Sequence, residues 1–169
     1  MIHVCSLSKV EETVARTGAE RLLSLLSAGT DVVRPSSISR ENHLHLVMHD
    51  IAVAQDGMTM PGSEHVRILL DFARHWDRMK PMVVHCYAGI SRSTASAYII
   101  ATALAPERNE LELAQTLRAL SPSATPNPRL IAVADIVLGR EGRMVQAIQS
   151  IGRGADAFEG TPFALGIDC

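Results

Sequence analysis

The chain has 169 residues, 47% of them hydrophobic, and a formal net charge of −2. That length and apolar content suit one folded domain with a sizeable core and exclude a disordered chain. The near-neutral balance leaves no polybasic surface for nucleic acid or anionic lipid, and no apolar stretch approaches the ~18–20 residues of a membrane span.

Three cysteines, Cys5, Cys86 and Cys169, are too widely spaced for a disulfide framework or a zinc site. The opening Met1-Ile-His-Val-Cys lacks the charged and apolar regions of a secretory signal, so a reducing cytoplasm is the expected compartment. Lys9 and Lys80 are the only lysines and alanine is abundant, a bias shared by GC-rich bacterial genomes.

In chain order, residues 2–7 read as a short strand. Ser8 is placed to cap a helix, with Glu11 completing a capping box and Gly18 stopping it. Residues 21–27 are expected as a second strand and 31–40 as loop, with a strand-like stretch at 31–33. Residues 43–50 alternate as a strand, placing Leu44, Leu46 and Met48 on one face and His43, His45 and His49 on the other. Three histidines on one face invite a metal reading, but no carboxylate or cysteine spacing supports a site, and a polar contact is the favoured explanation. Residues 52–61 form a polar, glycine-bearing loop suited to the mouth of a site. An amphipathic helix is predicted over 63–79, with Val66, Leu69, Leu70, Ala73 and Trp76 at helical spacing.

Met82-Val-Val has the character of a short buried strand, and it ends at His85-Cys86. A tight loop through Gly89 follows, then Arg92 and a helix over about 91–105. Backbone N–H groups in a loop that curls into a helix start converge on one centre, and the helix dipole adds positive potential. Gly89 permits close backbone approach, and the planar Arg92 fork can bond two oxygens of a tetrahedral anion. The same field favours a thiolate, which makes Cys86 a candidate nucleophile. Further helices are predicted over 110–120, 129–138 and 141–151, separated by the turn Pro122-Ser-Ala-Thr-Pro126-Asn127-Pro128. A glycine-rich tail, 152–169, follows the single domain at 1–151 and is expected to be poorly ordered.

His85-Cys86-Tyr-Ala-Gly89-Ile-Ser-Arg92-Ser93 resembles the active-site sequence of the cysteine-based protein tyrosine phosphatases, and more narrowly the C-x-A-G-x-S-R-S form of dual-specificity phosphatases. The strand ending at Asp50 and the Pro122–Asn127 turn extend the likeness to about residues 40–138. The resemblance implies an α/β fold of dual-specificity phosphatase type, a small, mostly parallel four- to five-stranded sheet flanked by helices. It implies a phosphomonoester hydrolase with no cofactor or metal that acts through a phosphocysteine on Cys86. Tyr87, Ala88, Gly89, Ile90, Ser91 and Arg92 would bind the phosphate. His85 would bond the loop backbone, and Ser93 would stabilise the departing thiolate.

Asp50, at a strand end, is favoured as general acid; Asp56, in the following loop, is the alternative. Asn127 would tie its turn toward the loop or cap the next helix. The expected partners are a phosphorylated protein or small phosphomonoester, with phosphate, sulfate or vanadate as ligands. Two readings compete: a silent phosphate-binding pseudophosphatase and a rhodanese-like sulfurtransferase. A protecting disulfide from Cys86 to Cys5 or Cys169 is a further possibility.

Overall fold

A computed structural model describes residues 1–32 and 34–167. Five strands form one sheet: β1 (Ile2–Ser6), β2 (Arg21–Leu26), β3 (His43–Val47), β4 (Met82–Cys86) and β5 (Phe163–Leu165), in the order β3-β2-β4-β1-β5. All pairings are parallel except β1 with β5. Central β4 is flanked by β2 and β1 and buried along its length, which is why Met82-Val-Val reads as unbroken apolar sequence.

The two faces of the sheet are covered unequally. Helix α1 (Val10–Thr17) closes one face, where Val10 and Val14 meet Cys5, Leu22, Ile38 and Val83. The other face carries α2 (Ser63–Arg74), α3 (Arg92–Leu104), α4 (Glu110–Leu120), α5 (Pro128–Val137) and α6 (Arg143–Ser150) over Val4, Leu23, Leu25 and Val84. Buried from Arg92 to Thr102, α3 lies at the middle of this layer between sheet and helices. It is buried on all sides over that span, as a central helix is. The unit that carries Cys86 and Arg92 is thus built on the central strand and a central buried helix.

Four expectations are corrected. Ser8 does not cap α1: a 3-10 turn at Leu7–Lys9 intervenes, and the Ser8 hydroxyl bonds Glu159 instead. The helix predicted over 63–79 stops at Arg74. Trp76 leaves it, is buried, and donates its indole N–H to the Lys80 carbonyl at 2.8 Å, while Arg78 takes a φ of 65°. Asp31 and Val32 are irregular, and Val33 lies outside the described residues.

The expected loose tail instead supplies β5, and between α6 and β5 it forms a strap along the carboxyl end of the sheet. Polar anchoring holds it: Gly154 N–H donates to Thr125 Oγ1 (3.1 Å), Ala155 N–H to the Pro122 carbonyl (2.9 Å), and Gly160 N–H to the Ala88 carbonyl (2.8 Å). Glycine content misled the sequence reading, because fixed backbone bonds replace the side-chain pattern that ordinarily signals order.

Candidate active site

Cys86 ends β4, and residues 87–91 curl into the start of α3. Four of the five carbonyls of this loop accept hydrogen bonds from their surroundings. Tyr87 accepts from Leu7 N–H (3.1 Å), Ala88 from Gly160 (2.8 Å), Ile90 from Thr125 (3.0 Å), and Ser91 from Asn127 (3.3 Å) and Ala95 (3.0 Å). In a trans peptide the N–H of the next residue points opposite to the carbonyl. The N–H groups of Ala88, Gly89, Ser91 and Arg92 are therefore turned to the loop's inner side. Such a ring of donors at a helix start is an anion cradle.

Gly89 fits this curl for two reasons. Its φ is 72°, and a Cβ there would stand 2.7 Å from the Ser6 nitrogen and 2.8 Å from the Cys5 carbonyl carbon. The loop presses directly onto the end of β1.

Cys86 is only 2% exposed, and its Sγ lies 3.1 Å from the Ser93 Oγ. Arg92 is anchored through Nη1 to the Met48 carbonyl at 2.8 Å and to Ser27 Oγ at 3.2 Å, while its Nε is buried without a hydrogen-bond partner. A buried guanidinium N–H without an acceptor is costly within a fold, and an oxyanion in the loop supplies one.

His85 differs from expectation. Its Nε2 lies 2.6 Å from Ser24 Oγ, which in turn is 2.9 Å from His43 Nε2, a polar chain running through the sheet toward its β3 edge. The Cys86 backbone favours a proton on the ring, but Nδ1 closes no hydrogen bond of ordinary geometry there. Burial, reinforced by His43, His45 and Arg92, pushes the His85 pKa down to about 4, so the ring is neutral. His43 thus belongs to this chain, and His49 accepts from the Thr59 N–H at 2.9 Å. Among the described residues no cluster is suited to a metal ion.

Asp50 sits at the rim. Its Oδ1 accepts from Ser91 Oγ at 2.7 Å and from Asn127 Nδ2 at 2.8 Å. Asn127 serves both roles considered for it: its Oδ1 caps α5 through the Leu130 N–H while its amide reaches Asp50. Asp50, Ser91, Thr125, Asn127 and, from the strap, Arg153 and Asp156 line a cleft of about 360 Å³. Asp56 stands exposed in a turn closed by Met58 N–H on the Gln55 carbonyl, and is not among the lining residues.

Sequence reasoning missed Ser24, Ser27 and the strap. Ser24 carried a signal, a lone hydroxyl inside an apolar strand. The strap carried little, since three of the bonds that anchor it are donated by its own backbone N–H groups.

No family model matches the chain, and no curated protein matches it in sequence. Solved structures do match. Cydia pomonella PTP-2 phosphatase superposes with a TM-score of 0.61 at 17% identity, over 79% of this chain and 83% of that one. Human DUSP28 gives 0.57 at 18% identity, over 89% and 95%. PTPMT1 in complex with PI(5)P gives 0.62 at 12% identity, over 89% and 94%. The chain has the fold of the cysteine-based protein tyrosine and dual-specificity phosphatases.

Proposed function

We propose that the protein is a cysteine-dependent phosphomonoester hydrolase of the dual-specificity phosphatase type. The observation that carries this reading is the cradle itself: Cys86 Sγ beneath a loop with its carbonyls turned out, closed by an Arg92 whose buried Nε lacks an acceptor.

The phosphate dianion sits on the inward N–H groups of Ala88, Gly89, Ser91 and Arg92 and on the Arg92 fork. Cys86 attacks phosphorus in line as the thiolate; the P–S bond forms as the P–O bond breaks. Asp50 gives its proton to the departing oxygen. Because both rim donors occupy Oδ1, Oδ2 is the oxygen that carries that proton. In the second step Asp50, now a carboxylate, takes a proton from the water that attacks phosphorus. The P–S bond breaks, and Ser93 Oγ, 3.1 Å from Sγ, donates to the returning thiolate. His85 acts as a neutral positioning group held by Ser24. Neither a metal nor a cofactor enters these steps.

Substrates are phosphorylated proteins or small phosphomonoesters, with phosphate, sulfate and vanadate as loop ligands. A thiolate nucleophile suits a reducing, cytoplasmic setting; among the described residues no helix is long and apolar enough to cross a membrane. The test is hydrolysis of p-nitrophenyl phosphate without added metal. Turnover should be inhibited by vanadate and lost in Cys86→Ser while that variant still binds phosphate. Phosphate binding without turnover in the native protein would favour a silent binding module. Sulfur transfer from thiosulfate to cyanide would favour the rhodanese-like alternative.

A further inference from the structure

The chain has three phenylalanines, two tyrosines and one tryptophan. Trp76 and Tyr98 are buried, and Phe72 and Phe163 pack partly buried against the main core. The other two stand in solvent, Tyr87 at 64% exposed and Phe158 at 98%. Both line one cleft of about 330 Å³, together with Leu7, Ser8, Ala88 and Glu159. Tyr87 and Ala88 also belong to the loop that follows Cys86, so this cleft borders the anion loop.

Phe158 is not exposed through looseness of its backbone. Its neighbour Glu159 accepts hydrogen bonds from both Ser6 and Ser8, which hold its carboxyl below the ordinary range. Gly160 is bonded to Ala88, and Gly154 and Ala155 fasten the other end of the strap. The backbone entropy of presenting an aromatic ring beside the loop is thus already spent, which is how a preorganised contact gains affinity. None of the six lining residues is basic, and the Glu159 carboxylate is among them. That wall repels a second phosphate and accepts an uncharged body.

Resting on the anion-cradle reading above, we infer that Phe158 is a specificity-determining residue: with Tyr87 it holds the aromatic body of a singly phosphorylated substrate, while Glu159 disfavours a second anionic group there.

Titration calorimetry on the full chain tests this with benzylphosphonate and ethylphosphonate, which need no turnover. The native protein should bind the benzyl ligand about tenfold more tightly than the ethyl one, the scale of partial ring burial plus aromatic contact. Phe158→Ala should abolish that preference and leave ethylphosphonate affinity unchanged; Phe158→Leu should retain part of it. As the ring makes almost no contact in the fold, neither variant should alter the thermal midpoint. A preference equal in native and Phe158→Ala proteins, or absent from the native protein, overturns the inference. Failure of both phosphonates to bind the native protein overturns the cradle reading and this inference with it.

Discussion

Gly160 lies directly against Gly89, so that a Cβ at position 160 would stand 2.8 Å from the Gly89 carbonyl oxygen. Two glycines far apart in the sequence allow the C-terminal strap to meet the anion loop backbone to backbone. Gly160→Ala must displace one of them, and the loop has β1 immediately behind it. We expect a destabilisation of about 1–3 kcal/mol and weaker sulfate affinity together. Thermal unfolding with and without sulfate checks this; loss of stability with unchanged sulfate affinity would separate the strap from the loop.

Asp50→Asn should lower kcat roughly 100-fold or more on phenyl phosphate, whose leaving group requires a proton. The loss should be smaller on p-nitrophenyl phosphate. Asp56→Asn, at an exposed turn, should stay close to the native rate on both. The reverse order of the two variants would move the acid to Asp56.

His85 gives the protein an acid-sensitive stability. In the unfolded chain the imidazole takes up its proton near its usual 6.5, whereas in the fold it stays neutral down to about 4. The unfolded state therefore binds more protons between those values. Stability from this group is full above pH 6.5 and is lost as the pH falls toward 4, by about 2–3 kcal/mol at pH 4.5. Urea unfolding between pH 7 and 4.5 should show that loss shrinking in His85→Gln. An identical pH dependence in the two proteins would refute the assignment.

Cys5 does not protect Cys86. In the parallel register Cys5 stands opposite His85, and Cys86 opposite Ser6. Neighbouring residues of a strand face opposite ways, and Cys5 packs with Val83 on the α1 side while Cys86 packs with Val84 on the other. Burial raises the Cys5 pKa to about 11, so it supplies almost no thiolate at neutral pH. After mild peroxide treatment, peptide mapping should find Cys86 oxidised and no Cys5–Cys86 crosslink; such a crosslink would show that the sheet faces interchange. The alternative partner, Cys169, lies outside the described residues.

The sequence by itself determined the strand–loop–helix unit. Its signals are local: three apolar residues for a strand buried on both faces, a glycine where φ must be positive, and a helix start bearing Arg92. The mostly parallel sheet followed from short strands ahead of a helical second half and from the family resemblance, and the Pro–Asn turn from its residues. Tertiary structure alone decided what surrounds the cradle. His85 faces Ser24 and His43 because β2 and β3 bring them into register, sixty-one residues away in the case of Ser24. Asp50 meets Ser91 and Asn127 across three separate segments. The strap is the extreme case: its bonds to residues 88, 122 and 125 are donated by its own backbone N–H groups, which every non-proline residue possesses, and its Glu159 meets Ser6 and Ser8 from the far end of the chain, so no local residue pattern could announce them.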